Sequence, residues 1–154
     1  MIGTGARHAE LVALAERLEV EIMFLPYQPE ARLADSLSAA DVHVVGLSRG
    51  LSGFVVPSRM HGILAVGRAV IVAADDESET ARIARAVDCG VVVPPGRPEL
   101  LAQAVRAAHD GELDLAVMGR RARAYAEAEA DREVAIGRYR ALLAELVGPE
   151  RDVA

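Results

Sequence analysis

The chain has 154 residues, enough for one packed domain or for one half of a two-domain protein. Hydrophobic residues make up 52% and charged residues 26%, a composition that argues against an intrinsically disordered chain. The net charge of -6 argues against a nucleic-acid partner, because an acidic surface repels phosphates. The single cysteine excludes an internal disulfide, and no apolar run reaches the roughly 18 residues of a membrane span, so we expect a cytoplasmic protein.

Short β-branched runs alternate with longer helical patterns along the first two thirds of the chain. The predicted strands cover residues 20–25, 42–45, 70–72 and 91–93. The predicted helices between them cover residues 6–18, 30–39, 58–66 and 77–87. After Pro98 the pattern becomes entirely helical, with three further helices predicted around residues 100–108, 113–128 and 133–146.

Nearly continuous apolar strands separated by helices indicate a parallel sheet that is covered on both faces. Right-handed crossovers then give an α/β fold, a Rossmann-like doubly wound parallel sheet with a C-terminal helical tail. We expect one domain over residues 1–147 and a frayed tail over residues 148–154. The segment 1–5 has the character of a strand end running into a glycine turn, so we also expect the domain to be truncated at its N-terminus.

Loops at the carboxyl ends of the strands are the expected ligand sites of such a sheet. They are residues 3–6, 26–29, 46–58 and 74–78. In the first of these loops, Gly3, Thr4 and Gly5 allow a phosphate to approach the backbone closely. A plain turn between a strand and a helix is the simpler explanation of these three residues.

The loop that begins at Gly46 is unusually long for a connection between a strand and a helix. It is rich in glycine, serine and arginine, and Pro57 suits the first turn of the helix that follows. We expect free amides at Ser58, Arg59 and Met60, and with the Arg59 guanidinium beside them they suit a diphosphate. The alternative is a mobile loop followed by an ordinary helix start.

The acidic run from Asp75 to Glu79 is typical of a helix start whose carboxylates complement the helix dipole, so no metal site is predicted. Glu79 is a candidate acceptor for ribose hydroxyl groups. His61, one turn into the helix after the long loop, is a candidate to face a ligand. Cys89 is expected to be an inert buried thiol.

The segment from Pro57 to Ile71 resembles the donor-binding, C-terminal domain of retaining glycosyltransferases of family 4, which have the GT-B fold. The resemblance continues through Ser78-Glu79, through the run from Cys89 to Gly96, and through Met118-Gly119. It implies a nucleotide-sugar site formed by two groups of residues. The phosphate and sugar side would comprise Gly3, Thr4, Gly5, Ser52, Gly53, Ser58, Arg59 and Met60. The base and ribose side would comprise Leu25, Pro26, Tyr27 and Glu79. Glu79 is included as a substitute for the ribose contact of a glutamate that this chain lacks.

Four positions depart from the pattern of this family. Arg59 stands in place of a lysine and keeps its positive charge. Phe54 and Gly62 stand where the wider family has a pair of glutamates, and Ala69 replaces a proline. The missing glutamates leave donor contacts unassigned, and the catalytic residues are not predicted.

The resemblance implies retaining, metal-independent transfer of a hexosyl group from a UDP- or GDP-sugar to a cell-surface glycan or lipid, without a cofactor. It also implies a separate N-terminal half that binds the acceptor, so this chain alone is expected to be inactive. Peripheral membrane association through that partner and homodimerisation stay open. The main alternative is a non-catalytic remnant or scaffold subunit, and a generic receiver or flavin-binding domain is the third hypothesis.

Overall fold

The computed structural model describes residues 1–147, which belong to two compact units. The first unit covers Met1–Ser36, and the second begins at Leu37. The predicted frayed tail, residues 148–154, lies outside the described residues. A single domain over residues 1–147 stays a prediction.

The first unit contains one regular helix, α1 (His8–Arg17), where the sequence predicts a helix. Glu19 follows the helix end in a left-handed conformation, with φ of +51°. The strand predicted over residues 20–25 is wrong, because only a single parallel bridge joins Ile2 and Leu25. A strand needs a neighbour along its length, and the partner segment within this unit extends over only a few residues at Met1–Gly3.

The predicted helix over residues 30–39 divides into two parts. A 3₁₀ turn at Glu30–Arg32 leads into the short helix α2 (Leu33–Ser38). Pro29 precedes the turn in an extended conformation, which sets the start of the helical segment.

Three parallel strands form the sheet of the second unit: β1 (Val42–Gly46), β2 (Ala69–Ala73) and β3 (Gly90–Val93). The order is β1-β2-β3, and the register pairs Val45 with Val72 and Ala73 with Val93. These three strands confirm the predictions for residues 42–45, 70–72 and 91–93. Parallel pairing brings the three carboxyl ends to one edge of the sheet.

Within residues 39–147, five helices accompany the strands of this unit. They are α3 (Arg59–Ala65), α4 (Glu79–Val87), α5 (Pro98–His109), α6 (Leu115–Glu129) and α7 (Arg132–Val147). Each occupies a segment that the sequence predicts to be helical, with ends that shift by a few residues. The last three form the predicted C-terminal helical tail.

Alternate residues of the central strand point into two separate cores. Val70 and Val72 pack with buried residues of α3, α4 and α6, whereas Ile71 packs with Val93 and with Ala104 of α5. Helices therefore cover both faces of the sheet, which explains why β2 is apolar at every position. The α/β, Rossmann-like fold is confirmed.

The end of α3 packs closely against α6. Gly67, with φ of +69°, donates its amide to the carbonyl of Leu64, and Arg68 donates to that of Ile63. This pair of hydrogen bonds is a Schellman motif, which needs a residue such as glycine in the left-handed conformation. The Gly67 carbonyl lies so near Gly119 that a Cβ atom built there would stand 2.3 Å from its oxygen.

The last helix, α7, has no buried residue among those described. Its exposed apolar side chains are Tyr139, Leu142, Leu143, Leu146 and Val147. Among residues 1–147, no helix combines the length and the apolar character that crossing a bilayer requires.

Candidate functional site

A cleft of about 410 Å³ opens at the carboxyl edge of the sheet. Its walls come from the ends of all three strands and from the loops that follow them. The lining residues are Gly46, Leu47, Ser48, Arg49, Ala73, Pro95 and Gly96. This is the position at which parallel α/β sheets bind ligands, because loop backbone and helix starts face open space there.

The long loop after β1 is fixed to the sheet at its first residue. Leu47 is buried, and its amide donates to the carbonyl of Ala73 at 2.9 Å. We call the following residues, 48–53, the strap. Gly50 and Gly53 within it have φ of +74° and +83°, so glycine is the residue type that allows this path.

The strap is tied to the two neighbouring strand ends. The Gly50 amide and the Ser52 hydroxyl both donate to Oδ2 of Asp75, each at 3.3 Å. On the other side, Nε of Arg49 donates to the carbonyl of Pro95 at 3.3 Å. The structure thus brings predicted site residue Ser52 together with two residues, Arg49 and Asp75, that sequence reasoning did not assign to the site.

The start of α3 matches the prediction only in part. The amides of Ser58 and Arg59 have no backbone acceptor within residues 1–147, as expected for the first turn of a helix. A free amide at Met60 is wrong, because it donates to the carbonyl of Pro57 at 3.0 Å. The Met60 side chain is fully buried in the core, so it serves packing rather than ligand contact.

The Arg59 side chain is exposed and makes no ion pair with any carboxylate in the described part of the chain. Within residues 1–147 it is Arg49, not Arg59, that lines the cleft. A desolvated phosphate would find the Arg49 guanidinium at the cleft wall, whereas Arg59 presents its charge from the start of the following helix.

Glu79 is the first residue of α4 and is half exposed. One of its carboxylate oxygens lies 3.6 Å from Arg82, one turn further along the helix. Ser78 caps this helix by accepting the Ala81 amide at 3.2 Å. The contact between Glu79 and a ribose stays a prediction.

The remaining predicted residues lie in the first unit. Gly3, with φ of +115°, packs against the Tyr27 ring, whose nearest atom would be 3.1 Å from a Cβ built on Gly3. The Gly3 amide donates to the carbonyl of Leu25 at 2.9 Å, and Gln28 donates to that of Pro26 at 3.0 Å. The phosphate and base groups proposed for this segment are therefore neighbours within the unit.

A cavity of about 190 Å³ lies beside this glycine turn. Its lining includes Gly3, Gly5 and Tyr27, together with His8 and Phe24, whose rings meet edge to face at 5.4 Å. Thr4 is exposed. The Gly5 carbonyl accepts the His8 amide at 2.9 Å and so starts α1 rather than remaining open.

Cys89 lies fully buried in the larger core as a free thiol. Burial raises the pKa of this thiol to about 11, because the thiolate would lose its hydration. A thiol with such a pKa is a poor nucleophile at neutral pH. No group of three or more His, Cys, Asp or Glu side chains with the geometry of a metal site occurs among residues 1–147.

No family model matches the chain. It is 31% identical over 135 residues to a protein of Escherichia coli (strain K12) named "Putative colanic acid biosynthesis glycosyl transferase WcaI". The similar region covers 86% of this chain and 32% of that protein. The chain thus spans about a third of the length of the relative it matches, and the similarity supports a glycosyltransferase-like domain.

Proposed function

We propose that this chain binds the activated donor of a glycosyltransferase, a sugar linked to a nucleoside diphosphate. The observation that carries the proposal is the cleft at the carboxyl edge of the sheet, in a chain similar to a glycosyl transferase over most of its length. The cleft has space for a diphosphate, and its wall offers the Arg49 guanidinium beside glycine backbone. Such groups bind phosphate oxygens through short, charge-assisted hydrogen bonds.

The chemical role of these groups is to stabilise the leaving group. When the bond between the sugar and the diphosphate breaks, negative charge builds on the phosphate oxygens. Arg59 and the amides of Ser58 and Arg59 would stabilise that charge in the proposed complex, with Ser52 and Gly53 on the loop side. Because arginine supplies the positive charge, we propose a metal-independent reaction. From the resemblance to retaining glycosyltransferases we also propose that the sugar keeps its configuration.

The nucleotide is proposed to be UDP or GDP. Its base and ribose would contact Leu25, Pro26 and Tyr27, and the exposed Tyr27 ring offers a face for stacking. Glu79 would accept hydrogen bonds from ribose hydroxyl groups.

The relative is named for colanic acid biosynthesis, and we propose a comparable role for this chain in building a cell-surface glycan or lipid-linked product in the cytoplasm. Two thirds of the relative's length lies outside the region of similarity. We propose that a separate acceptor-binding half completes the enzyme and brings it to the membrane surface.

A second candidate function is a non-catalytic remnant or scaffold subunit. The observation that favours it is the identity of positions 54 and 62, where glutamates are expected from the family resemblance. Phe54 is 84% exposed and carries no acceptor group. At Gly62, a Cβ would stand 3.0 Å from the end of the Leu37 side chain, so a larger residue there would displace a neighbour.

The two candidates differ in a nucleotide titration. We expect UDP or GDP, added to the ¹⁵N-labelled chain, to shift the amide resonances of residues 46–59 saturably. Replacing Arg59 with Ala should weaken binding about 10- to 150-fold, the usual range for a lost hydrogen bond to a charged group. Arg106→Ala is the matched control, because Arg106 is an exposed residue in the last turn of α5 and does not line the cleft. No saturable shift with either nucleotide would contradict the donor-binding proposal and favour the scaffold.

A further inference from the structure

Three of the strap's hydrogen-bond donors are of the kind that bind anions and are directed at acceptors on neighbouring loops. They are the Gly50 amide, the Ser52 hydroxyl and the Arg49 guanidinium. All three are engaged by acceptors of the protein itself, namely the Asp75 carboxylate and the Pro95 carbonyl. The carboxylate takes two of the three donors with a single oxygen, Oδ2.

These internal bonds are long. The two bonds to the Asp75 carboxylate measure 3.3 Å, whereas hydrogen bonds to a charged oxygen are usually about 2.5–2.9 Å. The bond from Arg49 to the neutral Pro95 carbonyl is also 3.3 Å, against about 2.9–3.0 Å for an ordinary N–H···O bond. A phosphate has several oxygens that can approach each donor separately, which a single carboxylate oxygen cannot do. The donors would therefore gain shorter bonds by exchanging the internal acceptors for a phosphate.

Asp75 directly follows the buried Ala74 at the end of the sheet's central strand, so its backbone is held in place. Its own carbonyl also accepts the Ser78 amide at 3.0 Å, which anchors the turn into α4. The side chain is half-buried and the strap is largely exposed. Release of the contact thus requires movement of the strap and not of the sheet.

We propose that the strap is the phosphate-binding element of the cleft and that Asp75 is its built-in competitor. The inference rests on the proposed function, in that the phosphate belongs to a nucleoside diphosphate. In the free protein the Asp75 carboxylate occupies the donors. Binding exchanges the carboxylate for phosphate oxygens. Asp75 therefore lowers the affinity of the strap for phosphate and prevents anions that bind more weakly from occupying the donors.

The test compares two neighbouring carboxylates. Asp75→Ala removes the competitor, whereas Asp76→Ala removes the same charge from the adjacent position, where the side chain pairs with Arg85 at 2.5 Å. We expect Asp75→Ala to bind inorganic pyrophosphate about five- to tenfold more tightly than the wild type, as the Gly50 amide resonance would report. Asp76→Ala should change the affinity about twofold or less, because a screened surface charge contributes little. Asp75→Asn, which keeps a neutral acceptor and the side-chain volume, should give an intermediate gain.

A third variant links the effect to the strap. Adding Ser52→Ala to Asp75→Ala should remove part of the gain, because one of the released donors is then absent. Circular dichroism of each variant checks that the fold is retained, and the Asn variant covers the case in which the Ala variant does not fold.

The same titration with UDP separates this inference from the proposed function. If the wild type binds UDP and both Ala variants gain equally, the effect is one of net charge; the role of Asp75 is then overturned and nucleotide binding stands. If Asp75→Ala alone gains affinity for pyrophosphate while no variant binds UDP, the role of Asp75 stands and the nucleotide proposal fails. If no variant binds either probe, both are overturned.

Discussion

Two glycines, each in the interior of a helix, should respond oppositely to the same substitution. Gly119 lies in α6 and Gly137 in α7. Alanine is preferred over glycine within a helix by about 1 kcal/mol, because glycine loses more backbone freedom on folding. Propensity alone therefore predicts that both substitutions stabilise the protein by a similar amount.

The surroundings of the two glycines separate the outcomes. A Cβ at Gly137 meets nothing within 4 Å, so the propensity gain of roughly 0.5–1 kcal/mol should be realised in full. A Cβ at Gly119 would stand 2.3 Å from the Gly67 carbonyl oxygen and 3.2 Å from its carbon. Backbone must then move by about 1 Å to restore van der Waals contact, and overpacking of this kind costs about 1–3 kcal/mol or more. The Gly67 carbonyl shares a peptide group with the Arg68 amide, which donates to the carbonyl of Ile63 in the Schellman motif, so it is not free to rotate away.

We therefore expect Gly119→Ala to destabilise the chain by about 2 kcal/mol. This is an overpacking cost of about 3 kcal/mol minus a propensity gain of about 1 kcal/mol. Gly137→Ala should raise the free energy of unfolding slightly. Urea unfolding followed by circular dichroism at 222 nm measures both, and an unchanged m-value would show that the unfolded states are comparable. If Gly119→Ala were as stable as the wild type, the close contact between α3 and α6 would not exist as described.

Three further predictions concern other parts of the chain. The pKa of the Cys89 thiol is about 11 in the folded chain and 9.0 for a free thiol, so the unfolded state loses the thiol proton at lower pH than the folded state does. The free energy of unfolding should therefore fall by about 2–3 kcal/mol as the pH rises from 9 to 11. Unfolding titrations at these pH values should show this fall, and Cys89→Ala should lack it. Glu19→Gly should stabilise the chain by about 0.5–1 kcal/mol in a thermal melt, because Glu19 has φ of +51°, whereas Glu16→Gly within α1 should destabilise it. Leu64 lies in the core with no exposed surface, so Leu64→Ala should lower the free energy of unfolding by about 2–5 kcal/mol. The Leu142 side chain on α7 is half exposed, so Leu142→Ala should lower it by less than about 1 kcal/mol. Equal losses of stability in chemical denaturation would contradict the burial described for the two leucines.

The sheet was predictable because its strands carry their own signal. Runs such as Val70-Ile71-Val72 are apolar at every position, which occurs when both faces of a strand are covered, and the structure buries all three. The run from Val20 to Leu25 has similar residues but forms no regular strand. Residue type reports the tendency to be buried in a sheet, whereas strand formation also needs a partner segment.

The candidate site was predictable to the level of loops but not of individual bonds. Topology alone places residues 46–58 and 74–78 at the carboxyl edge. The contact between Asp75 and Ser52 depends on the path of the strap between Gly50 and Gly53, which no periodicity encodes. At Met60 the sequence carries two conflicting signals. Its position in the first helical turn favours ligand contact, whereas its apolar side chain indicates burial, and the structure buries it.

The burial of β2 on both faces has a consequence for the timescales on which the backbone opens. Its amides are shielded by helices above and below and by strands on either side, so deuterium should replace their protons only through global unfolding. The exposed Gly50 amide, held by one long bond to a residue two positions beyond that strand, should exchange through small local fluctuations. Slowly and rapidly exchanging protons of this unit thus lie close together, and the loop can rearrange without loosening the scaffold beneath it.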